Sequence, residues 1–198
     1  MLKHKDAYKS IDALASAPYF FGCWNRKSHR CKDIAMVLPE ITGVDDIFDI
    51  LDDPANPYGM ERTKDYVRLQ AAAAKEFDVD LISYEGGQHL TIVWGDGDIS
   101  NEKKRSLLDL FRAANRDPRM AERYAHLLNG WKQYGGKLFT LYTMPQTYHT
   151  FGSFGIKEHL AQARDAAPKY DASMRFQETQ GKCSVSYTHL TQPTICSV

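Results

Sequence analysis

No apolar run in the 198 residues comes near the roughly 18 that a bilayer-crossing helix requires. Neither sign of charge is in excess. The 25 Lys and Arg balance the 25 Asp and Glu, which argues against a nucleic-acid or membrane-surface partner. The N-terminus, MLKHKDAYKS, has no apolar stretch of the signal-peptide kind. Cysteine is scarce, at four residues, and neither CxxC nor HExxH occurs, so no metal site is expected. No glycine-rich phosphate loop is present. A three-layer flavodoxin-like domain is thereby left without support, and no cofactor is expected. There is no internal repeat and no low-complexity tract.

What is present is ordinary globular composition, 43% hydrophobic and 25% charged. The length suits one domain with at most a small appendage. Aromatics make up 12%, with eleven Tyr; a large core uses them, and so does a site that stacks flat ligands. The segment 10–21, SIDALASAPYFF, reads as a buried strand leaving through Pro18 into a loop, since the residue before a proline avoids the helical region. Residues 22–43 read as a long loop. In 44–53, Val44, Ile47, Phe48 and Leu51 fall at the i, i+3, i+4, i+7 spacing of a short amphipathic helix. A second helix follows over 59–76, with an alanine run at 71–74 expected to pack closely on a sheet. VDLISYE, 79–85, reads as a strand, and 86–100 as a loop.

Two helices are expected over 101–114 and 118–134, with Asn101 as N-cap and Pro118 in a first turn. GGKLFTLYT, 135–143, reads as a third strand introduced by a helix-ending glycine pair. A loop rich in Tyr, Gly and His covers 144–155, and a last helix spans 168–180. Strands alternating with helices argue for parallel βαβ units. Three strands are too few for a closed barrel of eight strands and about 250 residues. The fold class expected is therefore α/β, an incomplete (β/α)8 barrel of roughly the last three βα units.

Both ends look accidental. The last fifteen residues, SVSYTHLTQPTICSV, hold no Lys, Arg, Asp or Glu. Within them VSYTHLTQPT resembles the translated read-through of a transposon adaptor used in shotgun sequencing, with one mismatch at Gln192. Residues 184–198 are accordingly expected to be a non-native tail, the alternative being a genuine polar terminus. Met1 opens straight into LKHKDAYKS, as an internal methionine would. The expectation is a C-terminal barrel fragment over 1–183.

The stretch ISYEGGQHL, 82–90, concentrates the chemistry. An apolar run ends in Glu85, followed by Gly86 and Gly87, both able to adopt positive φ. In parallel α/β folds chemistry gathers where strands end, so the glycines let a buried strand deliver an acid to the crevice. A capping or ion-pairing Glu at a tight turn is the plainer alternative. Cys23 and Cys31 flank a basic loop and can form a local disulfide or stay free thiols. GDGD, 95–98, lacks the late bidentate Glu of a calcium loop. GSFG is not a nucleophile elbow, because Phe151 stands where that motif needs glycine.

SIDALASAPYF, LISYEGGQHL, ANRDPRMAERYAHLLNGWKQYGGKLFTLY and FGSFGIKEH, in that order, resemble the C-terminal part of bacterial secreted, glycoside-hydrolase-like barrel proteins, often described as cellulose-binding. The resemblance covers most of 7–180. It implies a (β/α)8 barrel with APYF after strand six and YEGG ending strand seven, and a parent protein that is extracellular or on the cell surface. It further implies that Glu85 is the nucleophile of a retaining glycosidase acting on a carbohydrate. Such a reaction needs a second carboxylate about 5–5.5 Å away, expected on strand four, which this chain does not contain. The chain by itself is thus expected to be inactive. Attack requires the carboxylate form, which donors stabilise; Tyr142, Tyr148, Gln88 and His89 are candidates, and Tyr19 of APYF is a further substrate-binding candidate. Where the family has Gly-x-Trp-Gly this sequence has Phe154, a smaller sugar platform or plain core. The alternative function is a barrel that binds carbohydrate or scaffolds without turnover.

Overall fold

The computed structural model describes residues 2–21, 38–92, 99–180 and, as backbone, 194–195. Cys23, Cys31 and the GDGD segment lie outside the described residues, as does all of the 184–198 tail except 194–195.

Each amphipathic pattern becomes a helix. Val44–Asp52 forms α1 and buries Ile47, Phe48 and Leu51. Its start is fixed by Asp46, whose carboxylate accepts the Thr42 N–H at 2.7 Å, the Thr42 hydroxyl at 2.9 Å and the Gly43 N–H at 2.9 Å. Those donors hold the Asp46 carboxyl below the usual carboxylate range. Met60–Glu76 is α2. Of its alanine run only Ala74 is buried; Ala71, Ala72 and Ala74 line, with Lys75, Leu81 and Tyr134, a cavity of about 490 Å³. Asn101–Arg116 is α3, capped not by Asn101 but by Ser100, whose hydroxyl accepts the Lys103 N–H at 3.2 Å. The capping position shifts back one residue because Asn101 already has helical geometry. Arg119–Gln133 is α4 and Pro168–Thr179 is α5.

The strands are shorter and more broken than the sequence suggests. Ala13–Ser16 (β1) pairs in parallel with Asp80–Ser83 (β3), Leu14 opposite Leu81 and Ser16 opposite Ser83. Phe139–Thr140 (β5) adds in parallel at Ser83. Thr194–Ile195 (β6) lies antiparallel to β5, so part of the tail does pair with the sheet. Beyond the ends of β1 and β3 the chain pairs again: Tyr19–Phe20 (β2) runs parallel to Gly87–Gln88 (β4). The break at Pro18 follows from its missing N–H. Its carbonyl nevertheless accepts the Gly87 N–H at 3.3 Å, and pairing resumes at Tyr19. Gly87–Gln88 is therefore strand, where the hydropathy pattern reads as loop.

The main sheet is two-faced. Leu81 and Ser83 are buried toward the helices, whereas Ala15 and Asp80 on the other face are exposed and Ile82 is half-buried. The core on the helical side is aromatic, with Phe20 edge-on to Tyr124 at 5.8 Å, Phe21 to Phe111 at 5.7 Å and Trp131 to Phe139 at 5.2 Å.

Phe48 ties α1 to α4. Its ring carries the Arg119 guanidinium at 4.3 Å and that of Arg123 at 4.9 Å. Both guanidinium groups are in turn ion-paired to α1 carboxylates, Arg119 to Asp45 and Arg123 to Asp52. Truncation to Phe48→Ala should lower unfolding free energy by about 3–5 kcal/mol, read as a shifted urea midpoint at unchanged slope; a loss no greater than that of an exposed residue would show that the ring carries little of the packing.

Candidate functional site

Glu85 stands just past β3, where the main chain is pinned on both sides. The Ser83 hydroxyl donates to the Glu85 carbonyl at 2.8 Å, and the Tyr84 N–H donates to Ser16 at 3.1 Å. The Tyr142 N–H donates to the Gly86 carbonyl at 3.0 Å. The two glycines serve different ends. Gly86 is not in the positive-φ region; a Cβ there would lie 2.7 Å from the Phe139 ring, so it is glycine for close approach. Gly87 has φ +140°, and a Cβ there would meet the Tyr124 hydroxyl at 2.8 Å. That hydroxyl oxygen accepts the Gln88 N–H at 3.2 Å.

Five of the sequence candidates come together here. Tyr19 meets His89 edge-on at 5.4 Å, His89 meets Phe154 at 5.4 Å, and Phe154 meets Tyr142 at 5.4 Å. Glu85 adjoins this row: burial first, then the Glu85 charge and the neighbouring Tyr142 and Tyr84, push the Tyr19 hydroxyl well above the usual phenol range. Glu85 and Tyr19 are half-buried, and Tyr142 is open to solvent. Among the described residues Glu85 is the one carboxylate acting on Tyr19, and no hydrogen-bond donor reaches its side chain.

The segment that supplies Tyr142 and Phe154 is not a simple loop. It doubles back on itself, with the Thr143 N–H donating to Phe154 at 3.3 Å, the Ile156 N–H to Thr143 at 2.8 Å and the Gln146 N–H to Lys157 at 3.0 Å. A bridge between His149 and Gly152 closes the tip. The Tyr142–Thr143 and Met144–Pro145 peptides are cis. This pairing sets the Phe154 ring beside Tyr142.

Two other candidates are placed inside. Gln88 is 0% exposed. Its amide nitrogen donates to the Ser153 carbonyl at 2.9 Å, and its amide oxygen accepts the Leu90 N–H at 2.6 Å. Tyr148 is buried and forms a ring surface for the Lys169 ammonium at 4.6 Å and the Arg116 guanidinium at 5.1 Å. Residues that sequence reasoning missed are Tyr124 and Lys169. Tyr124 has a helical-face spacing that marks it only as core. Lys169 is 0% exposed and carries no sequence mark of burial. Among the described residues no group of three or more His, Cys, Asp or Glu side chains gathers, and no helix is long and apolar enough to cross a membrane.

No protein-family model, curated protein or solved structure matches the chain.

Chemically, the row offers aromatic surface to the C–H face of a ring, with a carboxylate and tyrosine hydroxyls at its margin to take hydroxyl hydrogen bonds. His89 takes no proton from such a ligand at neutral pH, because burial lowers its pKa to about 4 and its Nδ1 is buried without a partner. The folded ring binds a proton less readily than the unfolded one. The neutral ring therefore contributes fully above the ordinary value of 6.5, and its contribution is lost as pH falls toward about 4. Unfolding free energy should drop by about 2–4 kcal/mol across that window from this group. His89→Phe should remove that part of the acid sensitivity; urea midpoints measured against pH that stay parallel for the two proteins would disprove it.

Proposed function

We propose that this chain is the nucleophile-bearing part of a retaining glycoside hydrolase, within a (β/α)8 barrel whose second carboxylate comes from another strand. The observation that carries the reading is the position of Glu85, at the C-terminal end of a central parallel strand and beside a continuous row of Tyr19, His89, Phe154 and Tyr142. Parallel α/β folds place their chemistry at that end. The barrel reading is supported by a parallel sheet with helices against one face and Ala15, Ile82 and Asp80 on the other, the pattern of strands that curve around an interior. The expected ligand is a carbohydrate, and the parent is expected to act outside the cell.

A second reading is a carbohydrate-binding barrel without turnover. It is favoured by two specific features: among the described residues no donor reaches the Glu85 carboxylate, and no second carboxylate acts on Tyr19.

The two readings part on an activated substrate. In a dinitrophenyl β-cellobioside the leaving group departs as a stable anion and needs no acid. The Glu85 oxygen attacks the anomeric carbon, the bond to dinitrophenolate breaks, and a glycosyl ester remains on the chain. Mass spectrometry after incubation should find one cellobiosyl adduct on the Glu85 peptide, absent from Glu85→Gln. Binding of cellobiose without any adduct would decide for the non-catalytic barrel, and no binding at all would sink both.

A further inference from the structure

Among the described residues Lys169 is the one charged side chain that is buried. It stands in the first turn of α5. Its ammonium donates to two neutral acceptors, the Asn115 amide oxygen at 2.7 Å and the Ser153 carbonyl at 2.6 Å, and lies 4.6 Å from the centre of the Tyr148 ring. Among the described residues no carboxylate pairs with it. The ion pair that shares the Tyr148 ring is closed on itself: Arg116, 5.1 Å from that ring, donates to Glu158 at 2.7 and 2.6 Å.

A buried ammonium held only by neutral acceptors is a poor device for stability. An apolar side chain of similar volume often serves a fold equally well or better. Nor does the Ser153 carbonyl depend on it, since the Gln88 amide already donates there at 2.9 Å. Breaches of local packing rules are expected where a site is being shaped, so the role of Lys169 is sought in what it connects. Gln88 ties Ser153 to β4, and Lys169 ties the same atom to α5 and, through Asn115, to α3. Asn115 is fixed in turn by its own amide nitrogen, which donates to the Phe111 carbonyl at 2.8 Å. The residue after Ser153 is Phe154, whose ring meets both His89 and Tyr142.

We propose that Lys169 is a positioning residue for the aromatic row. It holds Ser153, and through it Phe154, in place against His89 and Tyr142, although an apolar side chain at 169 would leave the fold at least as stable. Its effect on a ligand rests on the carbohydrate reading above; its effect on the row does not.

The test is Lys169→Met in the full chain, which keeps an unbranched stem and removes the donors. The urea midpoint should stay the same or rise. Nuclear Overhauser contacts between ring protons of Phe20 and Tyr124, and of Trp131 and Phe139, should persist, because those pairs belong to the core. The contacts of Phe154 with His89 and with Tyr142 should be lost. Calorimetric titration should show cellobiose binding weakened roughly three- to tenfold, since the ligand would then have to order the side chains it meets. Row contacts that survive in the variant would overturn the proposal. Loss of row and core contacts together, or a lowered midpoint, would also overturn it by making Lys169 an ordinary structural residue. Lost row contacts with unchanged cellobiose affinity would overturn its part in ligand binding. If the unaltered chain takes up no cellobiose, the carbohydrate reading fails, and the ring contacts still decide whether Lys169 places the row.

Discussion

The carbonyl oxygen of Ser153 accepts two buried donors, the Gln88 amide at 2.9 Å and the Lys169 ammonium at 2.6 Å. Through it, β4, the 142–157 hairpin and α5 meet at one atom. Lys169 adds α3 by donating to the Asn115 amide oxygen at 2.7 Å, while the Asn115 nitrogen donates back to the Phe111 carbonyl at 2.8 Å. Burying an ammonium costs several kcal/mol unless its donors are satisfied. Here two hydrogen bonds and the Tyr148 ring offset the cost. Burial still pushes the Lys169 pKa well below the usual lysine range; Glu158 opposes that push and Arg116 adds to it. The Arg116–Glu158 pair, joined by two hydrogen bonds at 2.7 and 2.6 Å, thus sets the field around the buried cation.

This arrangement explains why the candidate site can be aromatic and still ordered. Phe154 follows Ser153 directly, so the clamp beneath it fixes the ring that joins His89 to Tyr142. On the other side, Gly86 and Gly87 bring Glu85 to the margin of the row by close approach to Phe139 and Tyr124. The acid and the aromatic surface are positioned by separate devices: hydrogen bonds to backbone for one, a buried cation for the other. Preorganisation of this kind spares a ligand the cost of ordering the side chains it meets.

The helices were legible because each repeats its apolar residues on one face, as Ile47, Phe48 and Leu51 do, and that face is what becomes buried. The strands were legible in place but not in extent. Parallel strands read as plain apolar runs, and nothing in YEGGQ announces that pairing resumes at Gly87. The 142–157 hairpin is held by main-chain hydrogen bonds between residues such as Thr143 and Phe154, which leave no side-chain pattern. The clustering of Glu85, Tyr19, His89, Tyr142 and Phe154 follows from strand ends lying side by side, so topology sufficed to bring them together. Gln88 and Tyr148 share the same segments, but their side chains run inward, a choice set by the pleat and by Lys169, whose burial no composition reveals.

A Cβ at Gly152 would stand 2.3 Å from the Phe154 ring, on backbone with φ +144°. The ring and the residue beneath it are therefore not independent letters of the sequence. Any lineage that enlarges the surface at 154 must keep 152 bare, and one that abandons the aromatic frees 152 to change only in part, since its dihedral still disfavours other residues. Selection acts on the pair as a unit.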